Sequence, residues 1–131
     1  MHKIIYICFL LIITDTVFAQ KKPLDHSVYD SWQHIGESMI SNDGKWIVYT
    51  IDPQEGDNNL LLQSADKKYS KLIPRGYNAL ITEDSRFVVF KIKSPYKDTR
   101  EAKIKKKKAD DMPKDSIGII ELGKEEIWKR E

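Results

Sequence analysis

The stretch MISNDGKWIVYTI at residues 39–51 decides the fold of this chain, because it occurs a second time as LITEDSRFVVFKI at residues 80–92. The two copies align without a gap at a shift of 41 residues. Four aligned pairs are identical: Ile40/Ile81, Asp43/Asp84, Val48/Val89 and Ile51/Ile92. Most other aligned positions keep their chemical class. A repeat of about 40 residues is typical of architectures built from repeated supersecondary units, such as β-propeller blades.

Each copy predicts a β-hairpin. A polar turn, at residues 42–45 in the first copy and 83–86 in the second, separates an apolar stretch from a strand rich in β-branched and aromatic residues. The Asp-Gly pair of the first turn tolerates the positive φ angles of tight hairpins. The strands that follow, residues 46–51 and 87–92, are apolar on both faces. This pattern favours a sheet packed between two neighbouring sheets.

A second hairpin follows each of these strands. In the first repeat, residues 59–63 and 69–73 flank a polar turn at 64–68, and in the second repeat residues 116–122 and 126–128 flank a turn at 123–125. Four strands per repeat at this spacing predict an all-β fold. We therefore expect two four-stranded antiparallel blades of an incomplete β-propeller, preceded by a signal peptide.

The repeat also sets the expected boundaries. Residues 20–36 are an amino-terminal extension that leads into the first strand, residues 37–75 are blade 1, and residues 76–131 are blade 2. Blade 2 carries a Lys-rich insertion at 93–115.

The two blades are expected to pack against each other through aromatic and β-branched side chains. Each blade would then have one partner and one uncovered apolar face, and such patches favour self-association or aggregation. The residues expected between the blades are Trp46, Val48 and Tyr49 on one side and Phe87, Val89 and Phe90 on the other.

Residues 1–19 have the features of a signal peptide. Met1, His2 and Lys3 give a short basic start, residues 4–13 are apolar, and Val17-Phe18-Ala19 precedes the expected cleavage point. The apolar run is shorter than the about 20 residues that a permanent membrane helix needs, although an uncleaved anchor is the alternative. The only cysteine, Cys8, lies within the run, so the mature chain can form no disulfide. We expect an exported, periplasmic or secreted protein.

Charge argues against a nucleic-acid or membrane partner for the chain as a whole, since the formal net charge is only +2. The insertion is an exception, with eight basic residues between Lys93 and Lys108. Its run at 105–108 could attract phosphates or acidic lipids. However, no aromatic residues are interleaved with the lysines, and Asp110, Asp111 and Asp115 follow. A solvated, mobile loop is the favoured interpretation, and a nucleic-acid site is the alternative.

No residue is predicted to be catalytic, to bind a cofactor or to bind a metal. Asp25, His26 and Ser27 are the residue types of a serine-hydrolase triad, but adjacent residues cannot normally adopt the relay geometry. His34 is expected on the first strand, without partners at metal-ligand spacing. Glu125-Glu126 could be compared with paired glutamates that hold a peptide amino terminus, but a solvated turn is favoured.

The sequence resembles a known family. SNDGKWIVY at residues 41–49 is similar to the Ser-x-Asp-Gly-Lys-aromatic-x-x-Tyr blade motif of TolB-like propellers, which also occurs in the propellers of prolyl-oligopeptidase-type serine peptidases. A wider run resembles the amino-terminal region of secreted peptidases of that family from Bacteroides-like bacteria. It comprises WQHIG at 32–36, IPRGYN at 73–78, DSRF at 84–87, YKDTR at 96–100 and the stretch up to Trp128.

The resemblance implies a non-catalytic part of an exported serine peptidase. In that family the propeller caps an α/β-hydrolase domain that carries the catalytic serine, aspartate and histidine, and the ring selects short peptide substrates. This chain has no Gly-x-Ser-x-Gly nucleophile elbow, and two blades are fewer than the four to eight of typical propellers. We therefore expect a fragment that is inactive alone, requires no cofactor and lacks its hydrolase domain.

Two alternatives remain open. One is a non-enzymatic TolB-like envelope propeller that binds a protein or glycan partner. The other is a free-standing two-blade module that completes a ring by self-association.

Cleavage after Ala19 is expected to leave Gln20 as the mature amino terminus, because the residues before it match the small-residue pattern of a signal peptidase site. Intact-mass measurement on protein isolated from the bacterial envelope tests this. A retained Met1 would contradict the signal-peptide interpretation and favour the uncleaved anchor.

Overall fold

The computed structural model of the chain describes Tyr29 and residues 32–130, so the predicted signal peptide and Asp25, His26 and Ser27 lie outside the described residues. The described part contains two four-stranded sheets, and every pairing in them is antiparallel. The predicted fold class of two four-stranded antiparallel sheets is confirmed. We call these sheets blade 1 and blade 2.

Both blades have the same up-and-down topology, in which each strand pairs with the next along the chain. The strands of blade 1 are β1 (Gln33–Ile40), β2 (Trp46–Pro53), β3 (Asn59–Ser64) and β4 (Ser70–Pro74). The strands of blade 2 are β5 (Gly76–Ile81), β6 (Phe87–Ile92), β7 (Ser116–Glu121) and β8 (Ile127–Arg130). Strand β1 begins at Gln33, within residues 20–36, which were predicted to be the amino-terminal extension that leads into the first strand.

The turn between β1 and β2 is held by side-chain hydrogen bonds. Ser41 Oγ donates to Asp43 Oδ1 over 2.6 Å, the same carboxylate oxygen accepts from Lys45 N at 3.0 Å, and Trp46 N donates to Ser41 Oγ at 3.0 Å. The hydroxyl and the carboxylate thus satisfy backbone N–H groups that the turn would otherwise leave unpaired.

Two further turns repeat this network. In the β3–β4 turn the participants are Ser64, Asp66, Lys68 and Tyr69, and in the β5–β6 turn they are Thr82, Asp84, Arg86 and Phe87. The hydroxyl hydrogen bond is the main cause that lowers the pKa of each turn aspartate, to about 2 for Asp66. One residue at the same place in each turn has a positive φ: Gly44 (69°), Lys67 (60°) and Ser85 (54°).

One hydrophobic core joins the two blades. Blade 1 contributes Val48, Leu60, Leu62 and Ile73, and blade 2 contributes Val88, Phe90, Ile92 and Ile120. All eight side chains are buried. We call this contact the seam.

The seam uses only one face of each blade. Val48 and Phe90 lie in the core and Trp46 packs against it, as predicted. The prediction was wrong for Tyr49, Phe87 and Val89, which lie on the opposite faces. Successive residues of a strand point to opposite faces of the sheet, so Val48 and Tyr49 cannot both reach the same neighbour.

The blades are in close contact where β5 begins. A Cβ atom placed on Gly76 would lie 2.6 Å from the Cβ of Leu60, which a side-chain rotation cannot move. The buried Asn58 donates from Nδ2 to the Gly76 carbonyl at 2.6 Å. The backbone carbonyl of Asn58 accepts from Arg75 N at 2.7 Å. Gly76 therefore has a steric role in the seam.

Polar contacts extend the seam to both of its ends. At one end Asn78 N donates to Glu37 Oε2 at 2.7 Å and Asn42 Nδ2 donates to the Glu83 carbonyl at 3.2 Å. At the other end the Tyr69 hydroxyl donates to the Lys124 carbonyl, and Lys71 forms an ion pair with Glu125. Contacts between the blades thus run from the first strands to the last.

The Lys-rich insertion contains more regular structure than the predicted loop. It forms helix α1 (Tyr96–Ile104) and a 3-10 turn at Ala109–Asp111. The helical stretch lacks glycine and proline and is rich in good helix formers. Asp98 lies in its first turn, and Glu101 forms an ion pair with Lys105 one turn later. These local features explain why a lysine-rich segment is helical here.

The shared turn geometry generates a reciprocal stability prediction. A non-glycine residue at positive φ costs about 1–2 kcal/mol, of which glycine's larger unfolded-state entropy cancels about 0.5–1 kcal/mol. Replacing Lys67 with glycine (Lys67→Gly) should therefore raise the free energy of unfolding by roughly 0.5–1 kcal/mol. Urea unfolding followed by tryptophan fluorescence measures the change.

The matched control is Gly44→Ala, at the same place in the first turn, which should lower the free energy of unfolding by a similar amount. Changes of the same sign in the free energy of unfolding of the two variants would show that the turns do not share this geometry.

Candidate functional site

Two of the residues singled out in the sequence, His34 and Glu125, lie within the part of the chain that the structure describes. His34 lies on β1 as predicted, and its side chain is exposed. Its Nε2 is 3.9 Å from Asp52 Oδ2, and this oxygen also accepts from Thr50 Oγ1 at 3.0 Å. Within Tyr29 and residues 32–130 there is no group of three His, Cys, Asp or Glu side chains that could hold a metal ion. Glu125 pairs with Lys71 across the seam, which gives it a structural contact.

The uncovered faces of the two blades are the more informative surfaces. On blade 2, Val89 pairs with both Leu80 and Ile119, and Ile119 also pairs with Trp128. Directly paired residues share a face of an antiparallel sheet. Three of these side chains are exposed, including Trp128 at 71%. We call this surface the blade 2 free face. It contains a groove of about 460 Å³ that is lined by Ile117, Ile119 and Trp128 together with polar residues.

Blade 1 also has an uncovered apolar face. Ile47 pairs with Ile40, and Leu61 pairs with both Tyr49 and Leu72. Ile40 and Leu72 are exposed, whereas Ile47, Tyr49 and Leu61 are half-buried. We call this surface the blade 1 free face.

The two free faces correspond to opposite sides of the repeat. The shift of 41 residues places Val48 on Val89 and Tyr49 on Phe90. Val48 belongs to the seam, but its equivalent Val89 belongs to the blade 2 free face. Conversely, Phe90 belongs to the seam and its equivalent Tyr49 to the blade 1 free face. The blades are therefore stacked head to tail, and the stack is open at both ends.

The insertion is fastened to both blades. Asp115 accepts hydrogen bonds from Tyr77 Oη at 2.7 Å and from Ser94 N at 3.0 Å, which brings its two ends together on blade 2. Tyr96 crosses to blade 1, where its backbone N–H donates to Asp57 at 2.9 Å and its hydroxyl to Glu55 at 2.6 Å. The insertion therefore crosses the seam at the end of the blades where the loop between β2 and β3 lies.

The electrostatic environment of Tyr77 reflects this attachment. The hydrogen bond to Asp115 raises the pKa of the Tyr77 hydroxyl to about 12. The same hydrogen bond is the main cause that lowers the pKa of Asp115. Lys93 Nζ lies 5.1 Å from the centroid of the Tyr77 ring. The lysines of the 105–108 run are exposed, and the first of them is paired with Glu101.

Sequence reasoning predicted that an apolar face would remain uncovered on each blade. It missed which residues form each face and the attachment of the insertion. The alternation of Val48 and Tyr49 carries the signal for the faces, but both residues are apolar. No comparable signal in the sequence pairs Tyr96 with Glu55, 41 residues earlier.

Comparison with known proteins gave no match to the chain among protein-family models, curated proteins or solved structures. Among the described residues, α1 and the other helical segments are too short or too polar to cross a membrane.

The Tyr77–Asp115 bond predicts the titration of Tyr77. The neutral phenol is the donor, so the bond stabilises the fold fully below the ordinary tyrosine pKa of 10.0, and this contribution is lost as the pH rises to about 12. In an Asp115→Asn variant the pKa of Tyr77 should fall towards 10.0. Site-resolved NMR of ¹³C-labelled tyrosine rings measures both values.

Asp98→Asn is the control, because it removes an exposed carboxylate from α1 and leaves Tyr77 untouched. An unchanged Tyr77 pKa in Asp115→Asn would contradict the attachment of the insertion through this bond.

Proposed function

We propose that this chain is a non-catalytic portion of a β-propeller in an exported prolyl-oligopeptidase-type serine peptidase. The observation that carries the propeller part is the head-to-tail seam. It leaves one face of each kind uncovered, on blade 2 around Val89 and on blade 1 around Tyr49. A stack of this kind can add further blades at both ends and close into a ring.

The free energy gained by burying the uncovered apolar faces favours a larger ring. Burial of apolar surface contributes about 25 cal/mol per Å², and side chains such as Trp128, Ile117 and Ile40 are exposed in the two-blade stack. Further blades on either side would bury these side chains in the way that the seam buries Leu60, Leu62 and Phe90. Rings of about four to eight blades are the common solution for four-stranded units.

The peptidase part of the proposal rests on the sequence resemblance. Two of the resembling segments occupy defined places in the fold: residues 73–78 connect the blades, and residues 96–100 form the first part of α1. In this proposal the catalytic serine, aspartate and histidine belong to an α/β-hydrolase domain outside the chain. The propeller acts by restricting access, so that short peptides reach the hydrolase and folded proteins do not.

Export is supported by the composition of residues 1–19, with their basic start, apolar run and small-residue cleavage pattern. A propeller without cysteine in its mature chain relies on packing for its stability, whichever side of the membrane it occupies.

The proposal predicts that the purified chain does not hydrolyse prolyl or other short peptide substrates. It further predicts that the coding sequence beyond Glu131 contains a Gly-x-Ser-x-Gly elbow followed by an aspartate and a histidine. Expression of that longer product should give peptide hydrolysis that a serine-reactive phosphonate abolishes, while substitution of the elbow serine by alanine serves as the control.

Two results would contradict the proposal in different ways. Phosphonate-sensitive turnover by residues 20–131 alone, free of host peptidases, would place catalysis in this chain. A continuation that contains further blades and no hydrolase would favour the non-enzymatic envelope propeller.

A further inference from the structure

We propose that the blade 2 free face binds the blade 1 free face of a second copy of this chain, and so repeats the seam between two molecules. The inference concerns the 131-residue chain by itself, in which no further blade covers the free faces; it rests on the blade stacking in the proposed function and is independent of the peptidase assignment.

The blade 2 free face matches the blade 1 side of the seam. The repeat shift and the strand pairings place Phe87, Val89, Ile117 and Ile119 where blade 1 has Trp46, Val48, Leu60 and Leu62. Each replacement keeps an aromatic residue aromatic or an aliphatic residue aliphatic. At these four positions the free face therefore presents the same side-chain chemistry that covers Phe90 within the molecule.

The blade 1 free face matches the blade 2 side of the seam. Ile47, Tyr49 and Ile51 stand where β6 has Val88, Phe90 and Ile92. In the seam these three β6 residues are buried, whereas Ile47, Tyr49 and Ile51 are only half-buried. A second copy that packs on this face would complete their burial.

Polar groups at the edge of the seam have counterparts as well. Within the molecule the Glu37 carboxylate accepts from the backbone N–H of Asn78, and these two residues are themselves 41 apart. Between two copies, the residue in the place of Glu37 is Asn78, whose side-chain carbonyl is also an acceptor. The donor in the place of Asn78 N is the backbone N–H of Glu37 in the second copy.

The match between the free faces and the seam is incomplete at four positions. Ile35 takes the place of Gly76, and Leu61 takes the place of Gly118. Two core positions also become polar, since Arg130 stands where blade 1 has Ile73 and Gln63 stands where blade 2 has Ile120. Because a Cβ atom at position 76 would clash with Leu60, and because Arg130 and Gln63 replace apolar core residues, a seam between copies is wider at the start of the first strands and weaker than the seam within the molecule.

Head-to-tail contacts generate closed rings or open filaments, depending on the rotation per unit. Two, three or four copies would supply four, six or eight blades, which lie within the range of about four to eight seen in propellers. Association of one face with the same face of another copy would instead stop at a dimer.

Two double variants, each blocking one face, separate these arrangements. Ile117→Lys with Trp128→Lys charges the blade 2 free face, and Ile40→Lys with Leu72→Lys charges the blade 1 free face. All four side chains are exposed in the single molecule, so the lysines are compatible with its fold. Each variant alone should be monomeric, with a dissociation constant for self-association raised by about a hundredfold or more.

The decisive sample is an equimolar mixture of the two variants, measured by native mass spectrometry and light scattering on the full chain. Each variant retains the face that the other has lost, so the mixture should form a dimer with one copy of each and nothing larger. A control with Gln54→Lys and Ala109→Lys adds the same charge at exposed sites away from both faces and should assemble like the unmodified chain.

Three outcomes would overturn the proposal: a monomeric unmodified chain, self-association of either blocked variant, or a mixture that stays monomeric while circular dichroism shows that both variants are folded. If the lysine variants do not fold, serine at the same four positions provides the same test. A negative result here leaves the search for a hydrolase beyond Glu131 unaffected, and that search in turn leaves this result unaffected.

Discussion

The burial of one face of blade 1 against the opposite face of blade 2 is the contact on which the rest of the structure depends. It supplies the hydrophobic core, since the largest fully buried side chains, such as Phe90 and Leu60, belong to this contact. A single sheet covered on neither face has no core of its own. The connection through Arg75 and Gly76 is correspondingly tight, and Asn58 satisfies its backbone groups from the neighbouring loop.

The two sides of the seam are not equivalent, because blade 1 contributes one face of the repeated unit and blade 2 contributes the opposite face. Val48 and Phe90 meet although they occupy different positions of the repeat, so the two blades use different sides of the same unit. This asymmetry links the local alternation of side chains in a strand to the architecture of a larger assembly. It also explains why each free face retains an apolar pattern, which it shares with a buried counterpart.

Much of the fold could be predicted from the sequence because the hairpin turns have their own chemistry. The same hydrogen bonds are formed by Ser41 and Asp43 in the first turn and by Thr82 and Asp84 in the second. The alignment of the turn residues therefore also predicts where the flanking strands lie. The composition of the seam could not be predicted in the same way. Trp46, Val48 and Tyr49 are all apolar, and only the register of the sheets decides which of them faces blade 2. The long-range bonds of Tyr96 depend on where the insertion folds, which its lysine-rich composition does not specify.

The two hydrogen bonds accepted by Asp115 have a consequence for how this segment can vary. By binding Ser94 N and Tyr77 Oη with one carboxylate, Asp115 closes the insertion into a loop whose ends meet on blade 2. Once the ends are fixed, the entropic cost of a longer connection grows only with the logarithm of its length. The pairing of strands β6 and β7 therefore depends little on the length and sequence of the segment between them. This edge of the blades is a place where the protein can exchange one helix, or a whole small domain, for another without disturbing its core.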